Sequence, residues 1–189
     1  MEDKVKEKVS ENRIFGSYLF KNYANKGKIE KIKSVLREYR KTAKYISKFL
    51  WDVFFKTGKF PHKKKVNLKY ISEYIPSFLS ERYKYVCLWQ THDVISSYIA
   101  NIQYQFANIV FNSNLSEEDK LILLALNNAE GWLKYDKDEI EIYERKGKKK
   151  KVKVLEFHKK LARKIFKHLL GKNRRPRFNN ISMHLDVKW

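Results

Sequence analysis

The stretch GKIEKIKSVLREYRKTAKYISKFLWDV, residues 27–53, decides the fold. Within it Ile29, Ile32, Val35/Leu36, Tyr39, Ala43, Ile46, Phe49/Leu50 and Val53 recur at steps of three and four. That period puts them along one face of a helix about 40 Å long. Lys31, Lys33, Arg37, Arg40, Lys41, Lys44 and Lys48 occupy much of the remaining circumference, and Thr57-Gly58 supplies a stop. A helix so basic on its outer side suits a chain with a formal charge of +21 on 189 residues. Such a field repels itself unless phosphates or another polyanion offset it.

Upstream, residues 1–13 alternate acid and base and read as a frayed leader, while Ile14 to Phe20 is short, aromatic and strand-like. Downstream, Pro61 opens a basic loop with His62, Lys63, Lys64 and Lys65. Leu68, Ile71, Tyr74/Ile75 and Phe78 predict a short helix that Pro76 ends or kinks. From Ser80 to about Phe111 a second long helix is expected. Its inner side would be Tyr83, Val86/Cys87, Gln90, Val94, Ser97/Tyr98, Ala100/Ile102, Phe106 and Ile109/Val110, and its outer side polar rather than charged. Ser116 with Asp119 three residues on is a capping box, supported by Glu117 and Glu118 at the positive helix end. That helix runs through Leu121, Leu124, Ala125 and Asn128 and should stop near Gly131.

Residues 139–143 and 151–154 both alternate, so a hairpin within 139–155 with Glu opposite Lys follows, the run Lys148 to Lys151 lying in its loop. A last helix carries Phe157, Leu161, Ile165 and Leu169 on one face, with Gly171 as its capping glycine. Pro176 forbids continuation, and 181–187 reads as a strand. The layout is mainly α: a helical block at 25–172 between strand segments at 1–24 and 173–189.

Hydrophobic content of 43%, with 12 Tyr, 12 Phe and 4 Trp, places the excess charge on a folded body rather than a disordered basic tail. Cys87 stands alone, which excludes an internal disulfide and multi-cysteine zinc fingers, and it reads as a small buried hydrophobe. No apolar run approaches the roughly 18 to 20 residues that span a bilayer. The N-terminus also lacks a signal-peptide core, so a cytoplasmic protein without membrane association is expected. His62, His92, His158, His168 and His184 form no metal-ligand set, and no cofactor is expected. His92 beside Asp93 reads first as a structural histidine, with a small metal-dependent site as the weaker reading. Asp136, Asp138, Glu139 and Glu141 read as solvent-facing strand residues. Asp186 alone cannot support metal catalysis, and no glycine-rich phosphate loop or nucleophile-base pair is present. Trp51, Trp89 and Trp132 are candidate stacking groups for unpaired bases, weighed against a place in the core.

The strand at 15–21 leading into the basic helix at 28–55 resembles the N-terminal part of TnpB-type transposon nucleases and of the related miniature type V CRISPR effectors. A second likeness runs from Leu161-Ala162-Arg163-Lys164-Ile165-Phe166 through Gly171 to Arg175-Pro176-Arg177-Phe178. It is similar to that family's helix, glycine and Pro-x-Phe segment. Asn179 stands where relatives often carry Lys, and Tyr45-Ile46 where they carry Tyr-Asn. The resemblance implies a helical recognition bundle inserted between strands of a partial β-barrel-like wedge domain, the return to the wedge starting at 173. It implies contacts to structured guide RNA and target DNA. It also implies that the RuvC-like nuclease domain would lie beyond Trp189, so that this chain by itself is not the enzyme. Charge and placement nominate Arg37, Arg40, Lys41, Lys44, Lys63, Lys64, Arg163, Lys164, Lys167, Arg174, Arg175 and Arg177 as the nucleic-acid contacts. The alternative is a self-contained basic helical protein that docks on an acidic partner or a ribonucleoprotein. In that case residues 178–189 would pack into a finished fold instead of leaving a strand edge.

Overall fold

The computed structural model describes residues 25–66, 75, 77–143 and 149–181. The strand expected at 14–20, most of the helix expected at 68–78, the hairpin tip and the strand expected at 181–187, apart from its first residue, lie outside them. The described residues form four α-helices and one two-stranded antiparallel sheet. They are α1 (Lys26–Thr57), α2 (Glu81–Phe111), α3 (Glu117–Asn128), β1 (Glu139–Tyr143), β2 (Lys149–Lys153) and α4 (Glu156–Lys172), with one 3-10 turn at Lys63–Lys65. Among them there is no barrel.

Helix α1 starts where the Asn25 side chain accepts from the Lys28 amide, and it ends at Gly58. There φ is 78°, and a Cβ would come within 2.8 Å of the Lys134 side chain, so only glycine fits this stop. Its inner face is Tyr39, Ala43, Ile46, Leu50 and Phe54, all fully buried, with Trp51 almost so. The apolar face read from the sequence begins too early and lies slightly off. Ile32 and Phe49 are exposed, because nothing described packs on the first turns, while Phe54 takes the inward place.

Tyr39 donates its hydroxyl to Gln90 at 2.8 Å, and the Cys87 thiol reaches the Tyr39 carbonyl at 3.6 Å. Farther along, Trp51 meets Tyr98 edge-on. Contacts thus advance in the same sense on both helices, and α1 and α2 run parallel. In the described part of the segment between them, Phe60 packs on His92 and Ser77 accepts from Thr42. Burial pushes the Cys87 thiol up to about 12, in keeping with a packing role.

The inner side of α2 is rotated from the expected one: Leu88, Thr91, Ile95 and Ile99 are buried, whereas Val94 and Ala100 face out. A helix with apolar residues all round offers several stripes, and packing chose another. Helices α2 and α3 are antiparallel, stitched by Gln103 and Asn127, each donating to the other's carbonyl. Ser116 caps α3 with its hydroxyl accepting from the Asp119 amide, but the Asp119 carboxylate takes its 2.6 Å bond from that hydroxyl and not from the Ser116 amide, so only half of the expected capping box forms. Here too the buried set, Ile122, Leu123 and Leu126, is shifted from the one expected, and Leu121 and Asn128 face out.

The hairpin pairs Glu139 with Lys153 and Glu141 with Lys151, the register that alternating charge demanded. Ile140 and Ile142 face inward. On α4 the buried side chains are His158, Ala162, Phe166 and Leu169, while Phe157 is half exposed. Gly171 is not the cap expected of it: the helix continues through it to Lys172 and stops at Asn173, whose side chain donates to the Leu169 carbonyl. Phe166 closes the core, stacked on Trp132 at 4.5 Å and edge-on to Phe54 at 6.0 Å.

Candidate nucleic-acid interface

Steps of three, four and seven keep Arg37, Lys41, Lys44 and Lys48 on the side of α1 opposite its buried face, so the packing that buries Tyr39 and Leu50 also aims these cations outward. Arg37, Arg40, Lys41 and Lys44 border a shallow cleft of about 390 Å³ whose remaining wall is Asn179. Among the described residues none of these four, nor Lys48, forms an ion pair with a carboxylate.

The segment after α4 explains why Asn179 is there. Asn173 and Gln105 exchange amide hydrogen bonds at 3.0 and 3.3 Å, and Tyr98 donates to the Asn173 carbonyl at 3.0 Å, which ties the end of α4 to α2. Two residues on, the Arg175 guanidinium carbon lies 5.2 Å from the Trp51 ring centre and 4.9 Å from that of Phe55. Phe178 is buried, and Arg40 donates to the Ile181 carbonyl at 3.4 Å. Residues 173–181 therefore run back along α1, from its Trp51 end toward Arg40. The two groups of cations separated by some 130 positions in the sequence are side by side, with Arg174, Arg175 and Arg177 exposed on the returning strand of chain. Residues 173–181 contain no strand and pack on the helical body.

The other nominated residues are arranged differently. Lys63 is held by both oxygens of Asp93 at 2.8 and 2.9 Å and lies 5.9 Å over the Trp89 ring. Lys64 is exposed beside it. Arg163 donates to the Leu133 carbonyl at 3.0 Å, and Lys164 and Lys167 share the exposed side of α4. No hydrogen bond or ion pair among the described residues joins this α4 group to the α1 row. On the hairpin, Lys149 lies 3.5 Å from Glu141 and 5.6 Å over Tyr143, and Lys150 lies 3.8 Å from Glu118. Tyr143, and then Glu141, holds the Lys149 ammonium above its ordinary value.

His92 is a structural group, as read: its Nε2 is 2.9 Å from the Pro61 carbonyl and its ring packs on Phe60. Among the described residues no three of His, Cys, Asp and Glu converge on a point that could hold a metal ion, and no helix is long and apolar enough to cross a membrane. Asp136, Asp138, Glu139 and Glu141 line an open groove of about 1080 Å³ beside α3, mixed with Lys134, Lys137 and Lys151. Trp132 belongs to the core, and Trp89 is half exposed.

Sequence reasoning missed two features. His158, buried, accepts from the Leu155 amide at Nδ1, so its Nε2 carries the proton, which it gives to Asp119 at 2.8 Å. It thereby joins the first turns of α3 and α4, and only its place three residues after a helix start hinted at this. Phe55 was passed over because the apolar period excluded it. Its exposure on the cationic side was the available signal. The sequence matches no protein-family model, and no curated protein and no solved structure shows significant similarity to it.

Proposed function

We propose that this chain binds the sugar-phosphate backbone of structured RNA, and of duplex DNA, along the outer face of α1 and the returning segment 173–181. The observation that carries this reading is the meeting of Arg37, Arg40, Lys41 and Lys44 with Arg174, Arg175 and Arg177 on one side of the molecule, the α1 cations being without carboxylate partners among the described residues. A rigid helix holds four of these cations and the Asn173 anchor and Phe178 hold the others, so little ordering entropy opposes binding. Each phosphate neutralised releases condensed counterions. In the finer form of the proposal the chain is the recognition portion of a TnpB-type RNA-guided nuclease or a miniature type V effector, with the cutting domain elsewhere.

The alternative, a self-contained interaction protein, draws support from the burial of Phe178 and the bond between Arg40 and Ile181, since a packed segment there is what that reading asks for. Two alanine series decide where and what the protein binds: Arg37/Arg40/Lys41/Lys44, and Lys148 to Lys151, Lys148 lying outside the described residues. Each is measured against a structured RNA, a DNA duplex and polyglutamate, first at one fixed salt and then across a salt series. The first series should lose roughly a hundredfold or more in RNA affinity, and its log-log salt slope should fall by about four. The second should lose only a few fold. Equal losses would mean that bulk charge alone sets affinity, and a preference for polyglutamate would favour the acidic-protein partner.

A further inference from the structure

The row of cations on α1 ends on an aromatic surface. Arg37, Lys41, Lys44 and Lys48 follow one another at steps of about 6 Å or less along the helix axis. Two further turns bring the same face to Phe55, and the nearly buried Trp51 borders it, the ring centres 5.7 Å apart and the planes 22° apart. The two rings are offset-stacked on each other. Phe55 leaves 41% of its surface open while packing on Trp51 and Phe54. The Arg175 guanidinium lies over both rings, and its charge is close enough to Tyr98 to offset in part the upward push of burial on that phenol. Arg175 is itself exposed and forms no ion pair with a described carboxylate. Its backbone position is fixed by Asn173 on one side and by Pro176 and Phe178 on the other.

A guanidinium supported from below by aromatic rings offers two things at once: an outer plane on which a base can stack and an edge of N–H donors for a phosphate. Lysines along a helix bind phosphates without regard to whether the bases are paired. A stacking plane at the end of that row favours the place where pairing stops. We infer that Trp51, Phe55 and Arg175 form a subsite for an unpaired nucleotide adjoining a helical stem, whose backbone the α1 row follows. The inference rests on the proposed nucleic-acid binding and deepens it: the preferred ligand is a junction between paired and unpaired nucleic acid rather than a plain duplex.

The test uses the full chain and two-strand RNA duplexes of one sequence without a loop, blunt or with a single 2-aminopurine nucleotide overhanging at the 3′ or the 5′ end. The wild-type protein should bind an overhang form about tenfold more tightly than the blunt form and quench its 2-aminopurine fluorescence. Arg175→Lys keeps the charge and loses the plane. It should abolish that preference and the quenching, with a larger loss of affinity for the overhang form than for the blunt stem. Phe55→Leu, at an exposed position, should give the same pattern in weaker form. Equal wild-type affinity for blunt and overhang stems would overturn the subsite and leave the proposed binding standing, as would an Arg175→Lys protein that retained the preference. Failure of the wild-type protein to bind either RNA would overturn the proposed function itself.

Discussion

On α1, Arg37, Lys41 and Lys44 project from a rigid helix with no described carboxylate in reach, whereas on the hairpin Lys149 lies by Glu141, Lys150 by Glu118, and Lys151 and Lys153 stand across from Glu141 and Glu139. The hairpin is the more densely lysine-bearing of the two. They differ in what surrounds those lysines. Exposed ion pairs add little to stability, but each cancels field at the surface, and a polyanion responds to what is left over. The lesson is that counting lysines along a sequence misplaces the attraction unless the acids that face them are counted too.

Three changes would break or sharpen that contrast. The largest effect should come from Phe166→Ala, because Phe166 touches Phe54 on α1 and Trp132 in the turn that leads to the hairpin. The loss should be about 3–5 kcal/mol in one cooperative unfolding transition. Two separate transitions in urea, read by fluorescence and circular dichroism, would show that the two regions do not share a core. A smaller effect should follow from replacing the hairpin's acids. Glu118→Gln with Glu141→Gln removes these two carboxylates from beside Lys149 and Lys150, and duplex affinity at low salt should rise about tenfold, with a salt slope steeper by one to two. An unchanged slope would mean that ion pairing is not what silences the hairpin.

The smallest effect belongs to Ser116→Ala, which should cost about 1 kcal/mol as a lost cap. It also bears on pH. The Ser116 hydroxyl, and then His158, holds Asp119 below its ordinary 3.8. A carboxyl depressed on folding contributes stability that is present above its unfolded value and lost as pH falls through its folded value. Wild-type stability should therefore drop as pH is lowered below about 4. Ser116→Ala should flatten that acid limb, while nucleic-acid affinity at neutral pH stays as it was. A fall in affinity would tie α3 to the binding surface.

Much of the fold was legible in the sequence, for reasons particular residues make plain. Long helices announce themselves by period, and Gly58 could be read as a stop because a basic, apolar repeat ends there. Gly171 looked the same and was not, since the Asn173 side chain satisfies the last carbonyls and Gln105 waits to hold it. The hairpin register was legible because a one-residue slip would set Ile140 opposite Lys151 or Lys153, an apolar side chain against a charge. The inner faces of α2, α3 and α4 were each read somewhat off, because those helices carry apolar residues on more than one side and only a neighbour selects among them. The cations of the candidate site were visible one by one. Their juxtaposition was not, because it depends on where residues 173–181 turn after α4, and that is fixed by the Asn173 anchor and Phe178.

The bond between Arg40 and Ile181 joins positions 141 residues apart. At a synthesis rate of roughly 5–20 residues per second, a nascent chain waits on the order of ten seconds between making α1 and making the segment that lies along it. During that interval the Trp51 and Phe55 rings have no Arg175 over them, and the burial place of Phe178 stands open. A ribosome-bound chain of this protein is therefore expected to expose an aromatic surface beside a basic helix, close to ribosomal RNA. Such an intermediate is where a chaperone, or an early RNA ligand, would have its longest opportunity to act.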